Sequence, residues 1–450
     1  MRSLLAAIVV AGLAASAHAA PVRPGYVLDA QRPCDGYPRA PIETLKGVCA
    51  GFVLGPPPEG AYASKRVLHL PRTLLPLPNG DFLVTDLGAW VPGQGSVWRM
   101  TPHPGQEPVL TRLLADLDMP HTIATGPDGK IYVGEMSRII RFDPGAAVPS
   151  ATVQVVVSGL PSNRLHDDRH PLSSFLFGTD NALLVNVGAP SDQCASPPGA
   201  PAPATCAEAE GSLPAAAIWR FAYQADGRWE PQPSLYARGL RNSMALVRHA
   251  SGALYQGENS IDVDDPDFPY DAINQLKPGA NYGWPYCVNA ADPAPAWLGR
   301  GPLDCKGPDR TPPILLLPPH GAPLFLLYYH GAMFPELEGR LLVALHGYRA
   351  TGSRIIAYAT GPDGAPLASA KASYAVHGRH GAAPTRKPFK GGPAAGGLDL
   401  TPGWDAAPGL RPAGAPVGLA VAADGALWIA EDRNGTILRL ARDVAEPQGR

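Results

Sequence analysis

One short pattern recurs six times along this 450-residue chain. A turn dipeptide leads into an alternating apolar strand, and after a gap a second short strand usually carries a basic residue near its end. "PNGDFLVTD" leads to "GSVWRM", "PDGKIYVGE" to "SRIIRF", and "TDNALLVNV", after a long insert, to "AAIWRF". "ASGALYQGE" follows, then "LEGRLLVAL" with "GSRIIAY", and "ADGALWIAE" with "GTILRL". The turn pairs are Asn79-Gly80, Asp128-Gly129, Asp180-Asn181, Ser251-Gly252, Glu338-Gly339 and Asp424-Gly425. Each supplies the positive φ that a tight hairpin requires. Their spacing ranges from 49 to 87 residues, so constant strands alternate with variable loops. About 70 residues per copy suits four strands plus loops, and a lone four-stranded sheet cannot bury both of its faces. Stacking six such sheets in a closed ring does, so the pattern predicts an all-β, six-bladed β-propeller. A β-sandwich or two unrelated β domains would share the turns. Long amphipathic helical patterns are absent, which argues against an α/β fold.

The chain opens "MRSLLAAIVVAGLAASAHAA". Arg2, the apolar run Leu4–Leu13 and the small residues ending at Ala19 read as a secretory leader over 1–19, with one propeller domain over 20–450. No later stretch approaches the roughly 18 uninterrupted apolar residues of a spanning helix. The expectation is an exported protein, periplasmic or secreted, with no membrane span. Six cysteines in near-neighbour pairs (Cys34 and Cys49, Cys194 and Cys206, Cys287 and Cys305) fit an oxidising compartment, with local pairing the simplest of fifteen connectivities. No C-x-x-C-H haem motif and no C-x-x-C zinc pair occurs. A formal net charge of −2 gives no reason to expect a nucleic-acid partner.

Three stretches hold unusual polar residues where a propeller places binding groups. In "RHPLSSFLFGTDNALLVNVGAPSDQC", His170 precedes an alternating strand, and an imidazole is suited to take a proton from an alcohol. His166 is an equal candidate by chemistry alone, and a loop histidine is more often plain surface. In "ARGLRNSMALVRHASGALYQGENSIDVDDPDFPYDAINQLKPGANYGWPYC", the pair Arg241-Asn242 can hold a carboxylate or carbonyl oxygen. The following "ENSIDVDDPD" is rich in oxygen donors for a hard cation, although it is no EF-hand and reads equally as a solvated acidic loop. In "PHGAPLFLLYYHGAMFPELEGRLLVALHGYRATGSRIIAY", His320, His346 and Arg349 sit at loop positions that could face an anionic ligand or simply water.

The order and wording of these stretches resemble the soluble sugar dehydrogenases that use pyrroloquinoline quinone (PQQ), and most of all their sorbosone dehydrogenase-like branch. "RGLRN" followed by "NYGWPYC" is the specific part; the "DG" strands are common to many propellers. The resemblance implies a quinoprotein that oxidises a sugar or other alcohol, with an external electron acceptor such as a cytochrome or a quinone. It implies that His170 is the general base and that Arg241 and Asn242 grip the quinone. It further implies that the carbonyls of Ser260 and Ile261 hold Ca²⁺, and that His346, with Arg349 nearby, contacts the cofactor. Three departures stand out. The arginine usual before the last blade's first strand is Ala415 here, with Arg411 close but shifted. The acidic residue beside Asp271 is Ala272. The "ENSI" loop replaces a glycine-proline version.

Two other functions fit a propeller. A gluconolactonase-like hydrolase needs a divalent metal held by side-chain carboxylates at the channel centre, yet acidic residues do not recur at the channel-facing strand starts. A sugar- or protein-binding propeller that has lost catalysis would be favoured by lost site residues such as Ala415. The Pro/Ala/Gly-rich inserts near Pro197–Thr205 and Pro384–Gly397 read as mobile loops able to act as lids.

Overall fold

The computed structural model describes residues 26–55, 68–161, 169–194, 203–378, 383–409 and 413–444. The leader stretch, His166 and Arg411 lie outside them. Six antiparallel blade sheets follow one another in chain order, as the repeat predicts; five have four strands, and the sixth has six because Asp29–Cys34 and Tyr37–Arg39 extend it. Blade 1 runs Pro71–Pro76, Phe82–Asp86, Gly95–Thr101 and Val109–Leu117. Blade 2 is Ile123–Thr125, Ile131–Gly134, Arg138–Phe142 and Gln154–Ser158. Blade 3 is Phe175–Phe177, Leu183–Val187, Ala217–Phe221 and Ser234–Arg238. Blade 4 is Ala245–Arg248, Leu254–Glu258, Tyr270–Leu276 and Leu315–Pro319. Blade 5 is Pro323–Tyr328, Leu341–Leu345, Arg354–Tyr358 and Leu398–Asp399. Blade 6 is Pro416–Val421, Leu427–Glu431 and Thr436–Arg442, completed by the early strand Val48–Leu54. The fold is a six-bladed β-propeller.

All six turn pairs fall just ahead of the second strand of a blade, and the second residue of each pair has φ between 59° and 91°. The core is not single but divided into layers between consecutive blades. Blade 5 shows why. Leu341, Val343 and Leu345 point into the layer shared with blade 4, while Leu342 and Ala344 point into the layer shared with blade 6. The two-residue period therefore carries apolar groups on both faces, and a blade is stable only between two neighbours. Blades 6 and 1 meet through Trp428, Ile437, Leu54, Leu74 and Phe82, which closes the ring.

Closure depends on Val48–Leu54, which pairs antiparallel with Thr436–Arg442 and is buried along its whole length. The three disulfides join Cys34–Cys49, Cys194–Cys206 and Cys287–Cys305, the local pairing expected. The insert near Pro384–Gly397 departs from the reading as a loop. Its Thr385–Pro388 pairs with Ser373–Val376 in a hairpin, and Tyr374 and Phe389 pack on Tyr270 of blade 4. A Pro- and Gly-rich composition hid the hairpin because its apolar contacts come from another blade.

The first strands line a central channel. Register places Pro71 opposite Asp86, Ile123 opposite Val133, Phe175 opposite Val185, Ala245 opposite Gly257, Pro323 opposite Leu345 and Pro416 opposite Glu431. In every blade the start of the first strand thus lies beside the end of the second, so residues at these ends gather at one mouth of the channel. We expect Phe52→Ala, which empties a buried aromatic position in the closing strand, to cost about 3–5 kcal/mol. Equilibrium denaturation would show this as a lower midpoint; an unchanged midpoint would mean that the strand does not hold the ring closed.

Candidate functional site

One side of the mouth is built by blades 3 and 4. His170 lies just ahead of the first strand of blade 3 and is 8% exposed. It packs so closely on the turn after the second strand that a Cβ at Gly188 would stand 2.6 Å from the His170 Cβ. The next residue, Ala189, joins two groups that the sequence singled out. Its carbonyl lies 2.6 Å from His170 Nδ1, and its N–H donates to the Arg241 carbonyl at 2.8 Å. His170 is therefore protonated at Nδ1 and carries its basic lone pair on Nε2. Burial, helped by the positive charge of Arg241, pushes the imidazole down to about 3, against the pull of the Ala189 bond. It is neutral throughout the physiological range.

Arg241 is 3% exposed. Its N–H donates to Glu258 Oε1 at 2.6 Å, and its guanidinium reaches Asn259 O at 3.2 Å, Asp192 Oδ1 at 2.7 Å and Asp262 Oδ2 at 3.1 Å. Arg241 Nε, Asn242 Oδ1 and Asn259 Oδ1 are nevertheless buried without a hydrogen-bond partner. Unsatisfied buried polar atoms are costly, so three at one place point to a polar ligand or ordered water. Burial drives Glu258 up to about 8 despite the bonds from Arg241 and Gln256, leaving it protonated near neutrality.

The "ENSI" turn is shaped by Asp271, which accepts Ser260 N–H at 2.8 Å and Ala322 N–H at 2.7 Å. Burial raises this carboxyl as well. Among the described residues no group donates to the carbonyls of Ser260 or Ile261. Ala272, where an acid was expected, borders a cavity of about 40 Å³ with Glu258, Ser260 and Ile261. No cluster of three or more His, Cys, Asp or Glu side chains among the described residues could hold a metal. A cation here would therefore rest on backbone oxygens.

The opposite side comes from blades 5, 6, 1 and 2. His346 Nε2 lies 2.8 Å from Asp432 Oδ1, and Asp432 Oδ2 also takes Arg72 Nη1. Arg72 Nε–H donates to His121 Nδ1 at 3.1 Å, so the His121 proton sits on Nε2, which is buried without a partner. Burial, then the Arg72 charge, holds His121 far below the ordinary imidazole range. Burial alone would raise Asp432, yet His346 and Arg72 keep it below the usual carboxylate range.

Arg349 is not brought into either group; it lies exposed on the turn after His346. His320 braces the 262–269 loop instead, with Nε2 2.8 Å from Asp265 O and 2.9 Å from Phe268 O. Ala415 is fully buried and spends its N–H on Glu431. Arg72, His121 and Asp432 escaped the sequence reading. The signal was there: "PRT" at 71–73 and "PHT" at 120–122 stand at the same offset ahead of the turn pairs at 79 and 128.

Residues 148–350 match the family model described as Glucose / Sorbosone dehydrogenase. That segment contains His170, Arg241, Asn242, Ser260, Ile261 and His346, and the resemblance read from the sequence is borne out. The match covers somewhat less than half of the chain, and over that segment the propeller is similar to the glucose/sorbosone dehydrogenase family. A curated relative from Borreliella burgdorferi, an uncharacterized protein, is 31% identical over 116 residues, 25% of this chain. The chain spans about 30% of that relative's length. Among solved structures, a Trichoderma reesei protein of carbohydrate-active enzyme family AA12 superposes with a TM-score of 0.63 at 19% identity, covering 89% of this chain and 98% of its own. The holo PQQ domain of pyranose dehydrogenase from Coprinopsis cinerea gives 0.61 at 19% identity, covering 91% and 99%. The PQQ-bound aldose sugar dehydrogenase of Streptomyces coelicolor gives 0.52 at 19% identity, covering 89% and 99%. These three share the fold.

The Glu258 carboxyl yields a pH prediction. Its folded value of about 8 lies above the ordinary 4.5, so between these pH values the folded state keeps a proton that the unfolded chain releases. This contribution to stability is complete below about 4.5 and falls as pH rises through 8. Denaturation midpoints compared at acid and mildly alkaline pH should show Glu258→Gln flattening that decline. A decline of equal size in the variant would assign it to other groups.

Proposed function

We propose that the protein is a PQQ-dependent dehydrogenase that oxidises a sugar, or another alcohol or hemiacetal, at a CH–OH group. The observation that carries this reading is the unit made by His170, Ala189 and Arg241. One backbone residue binds a neutral imidazole with its lone pair on Nε2 and, on its other side, a buried arginine whose Nε lacks a partner. A proton acceptor and an anion-binding group are thereby held in fixed relation.

The residues fit the cofactor. PQQ is a small tricarboxylate, and the mouth offers two buried guanidinium groups, Arg241 and Arg72, with Asn242 and His346 beside them. When bound, the quinone supplies the acceptor for the hydride, chemistry that no side chain provides. Ca²⁺ fits the undonated carbonyls of Ser260 and Ile261, where it would add Lewis-acid polarisation. Arg241 and Asn242 would bind oxygens of the ligand through charge-assisted and neutral hydrogen bonds. His170 Nε2 would take the hydroxyl proton of the substrate, with Ala189 holding the ring and its tautomer. A carboxylate-bearing ligand beside His170 would raise the low proton affinity imposed by burial and Arg241.

The reduced protein would pass electrons to an external acceptor, a cytochrome or a quinone. The leader-like first nineteen residues and the three disulfides support a periplasmic or secreted location. Among the described residues no helix is long and apolar enough to cross a membrane.

The reading is tested by loading the purified protein with PQQ and Ca²⁺ and following dye reduction with a panel of aldoses and alcohols. Bound-quinone absorbance with substrate-dependent turnover is expected; lack of quinone binding would overturn it. His170→Ala should cut turnover by about 10²–10⁴-fold, the usual reach of a general base, while PQQ affinity stays near that of the parent. Unchanged turnover would remove His170 from the chemistry.

A further inference from the structure

Asp432 has no part in the reading above beyond touching two of its residues. It follows the second strand of blade 6 and is 5% exposed. Its two oxygens are divided between neighbours on either side. Oδ2 takes Arg72 Nη1 from blade 1, and Oδ1 takes His346 Nε2 from blade 5 at 2.8 Å. Arg72 is pinned a second time, through Nε, on His121 Nδ1 of blade 2. Among the described residues Arg72 and His346 make no hydrogen bond to each other, so the shared carboxylate sets one relative to the other. A long arginine side chain loses considerable rotamer freedom on burial, and a buried guanidinium needs an opposite charge to stay there. Asp432 answers both needs and has no oxygen left unshared.

We propose that Asp432 is a positioning residue that holds Arg72 and His346 as one preorganised wall for the acidic edge of the quinone cofactor. The inference rests on the function proposed above. It also accounts for Ala415: the side chain there is too short to reach a ligand, and the cation at the seam of blades 6 and 1 comes from blade 1 instead. Supporting residues of this kind commonly alter affinity by about 10–100-fold without touching the ligand.

The test titrates PQQ into metal-loaded protein and reads the dissociation constant from tryptophan quenching. The variants are Asp432→Asn, Arg72→Met and the double substitution. Asp432→Asn should weaken binding by about tenfold or more. In the Arg72→Met background its effect should shrink severalfold, because the two act as a unit. An unchanged dissociation constant with a lowered melting temperature would make Asp432 merely structural and overturn the proposal. Equal effects in both backgrounds would overturn it too. If Asp432→Asn does not fold, as judged by circular dichroism, Arg72→Met and His346→Gln form the cycle. Coupling between these two non-bonded residues supports the proposal, and strict additivity overturns it. A parent protein that binds no PQQ sinks both this inference and the proposed function; a parent that binds, with Asp432→Asn binding equally well, sinks this inference alone.

Discussion

Burial of both faces of every sheet is the constraint from which the rest follows. Strands such as Leu341–Leu345 are apolar at successive positions, so no blade can leave one face in water. The energetic answer is a closed stack, and closure fixes where strand ends lie. Antiparallel register then brings the start of each first strand and the end of each second strand to one mouth. His170, Arg241, Arg72, His121, His346 and Asp432 are neighbours of strand ends, and the barrel-like closure gathers them from places far apart in the chain.

The mouth concentrates charge that the interlayer cores exclude. Buried arginines and carboxylates there would be a liability unless paired and hydrogen-bonded. The pairing is nearly complete: Arg241 is shared by Asp192, Asp262 and Asn259 O, and Arg72 by Asp432 and His121. Buried polar atoms left without a hydrogen-bond partner here include Arg241 Nε, Asn242 Oδ1, Ser243 Oγ, Asn259 Oδ1, Thr73 Oγ1 and His121 Nε2. Low local dielectric makes such atoms sensitive to whatever enters, and it explains why the two histidines are driven to the neutral form rather than left to titrate near neutrality.

Much of this was legible in the sequence because hairpin chemistry is local. Asn79-Gly80 or Asp424-Gly425 announces a turn whatever lies around it, and six such announcements fix the number of blades. The closing strand was not legible. "VCAGFVL" has no turn pair of its own, and its partner Thr436–Arg442 lies nearly four hundred residues away. The Thr385–Pro388 hairpin was hidden for a similar reason, since Tyr270 of another blade supplies its packing. At the site, His170 and the Arg241-Asn242 pair stood out by their wording. Asp432 did not, because an aspartate after a strand usually meets solvent, and its partners Arg72 and His346 arrive from the blades on either side.

The strand Val48–Leu54 has a temporal meaning as well as a spatial one. It emerges from the ribosome before any blade exists, yet beyond the short neighbouring strand Tyr37–Arg39 its sheet partner is Thr436–Arg442, among the last segments made. Until that late segment appears, one edge of an apolar ribbon buried in the finished protein lacks its partner, and an unfilled flank on blade 1 persists alongside it. Contacts separated by so much chain form slowly, since loop closure must precede their reward. The nascent polypeptide therefore has to be shielded from self-association for almost the whole of its synthesis, and final locking arrives as a single late event rather than blade by blade.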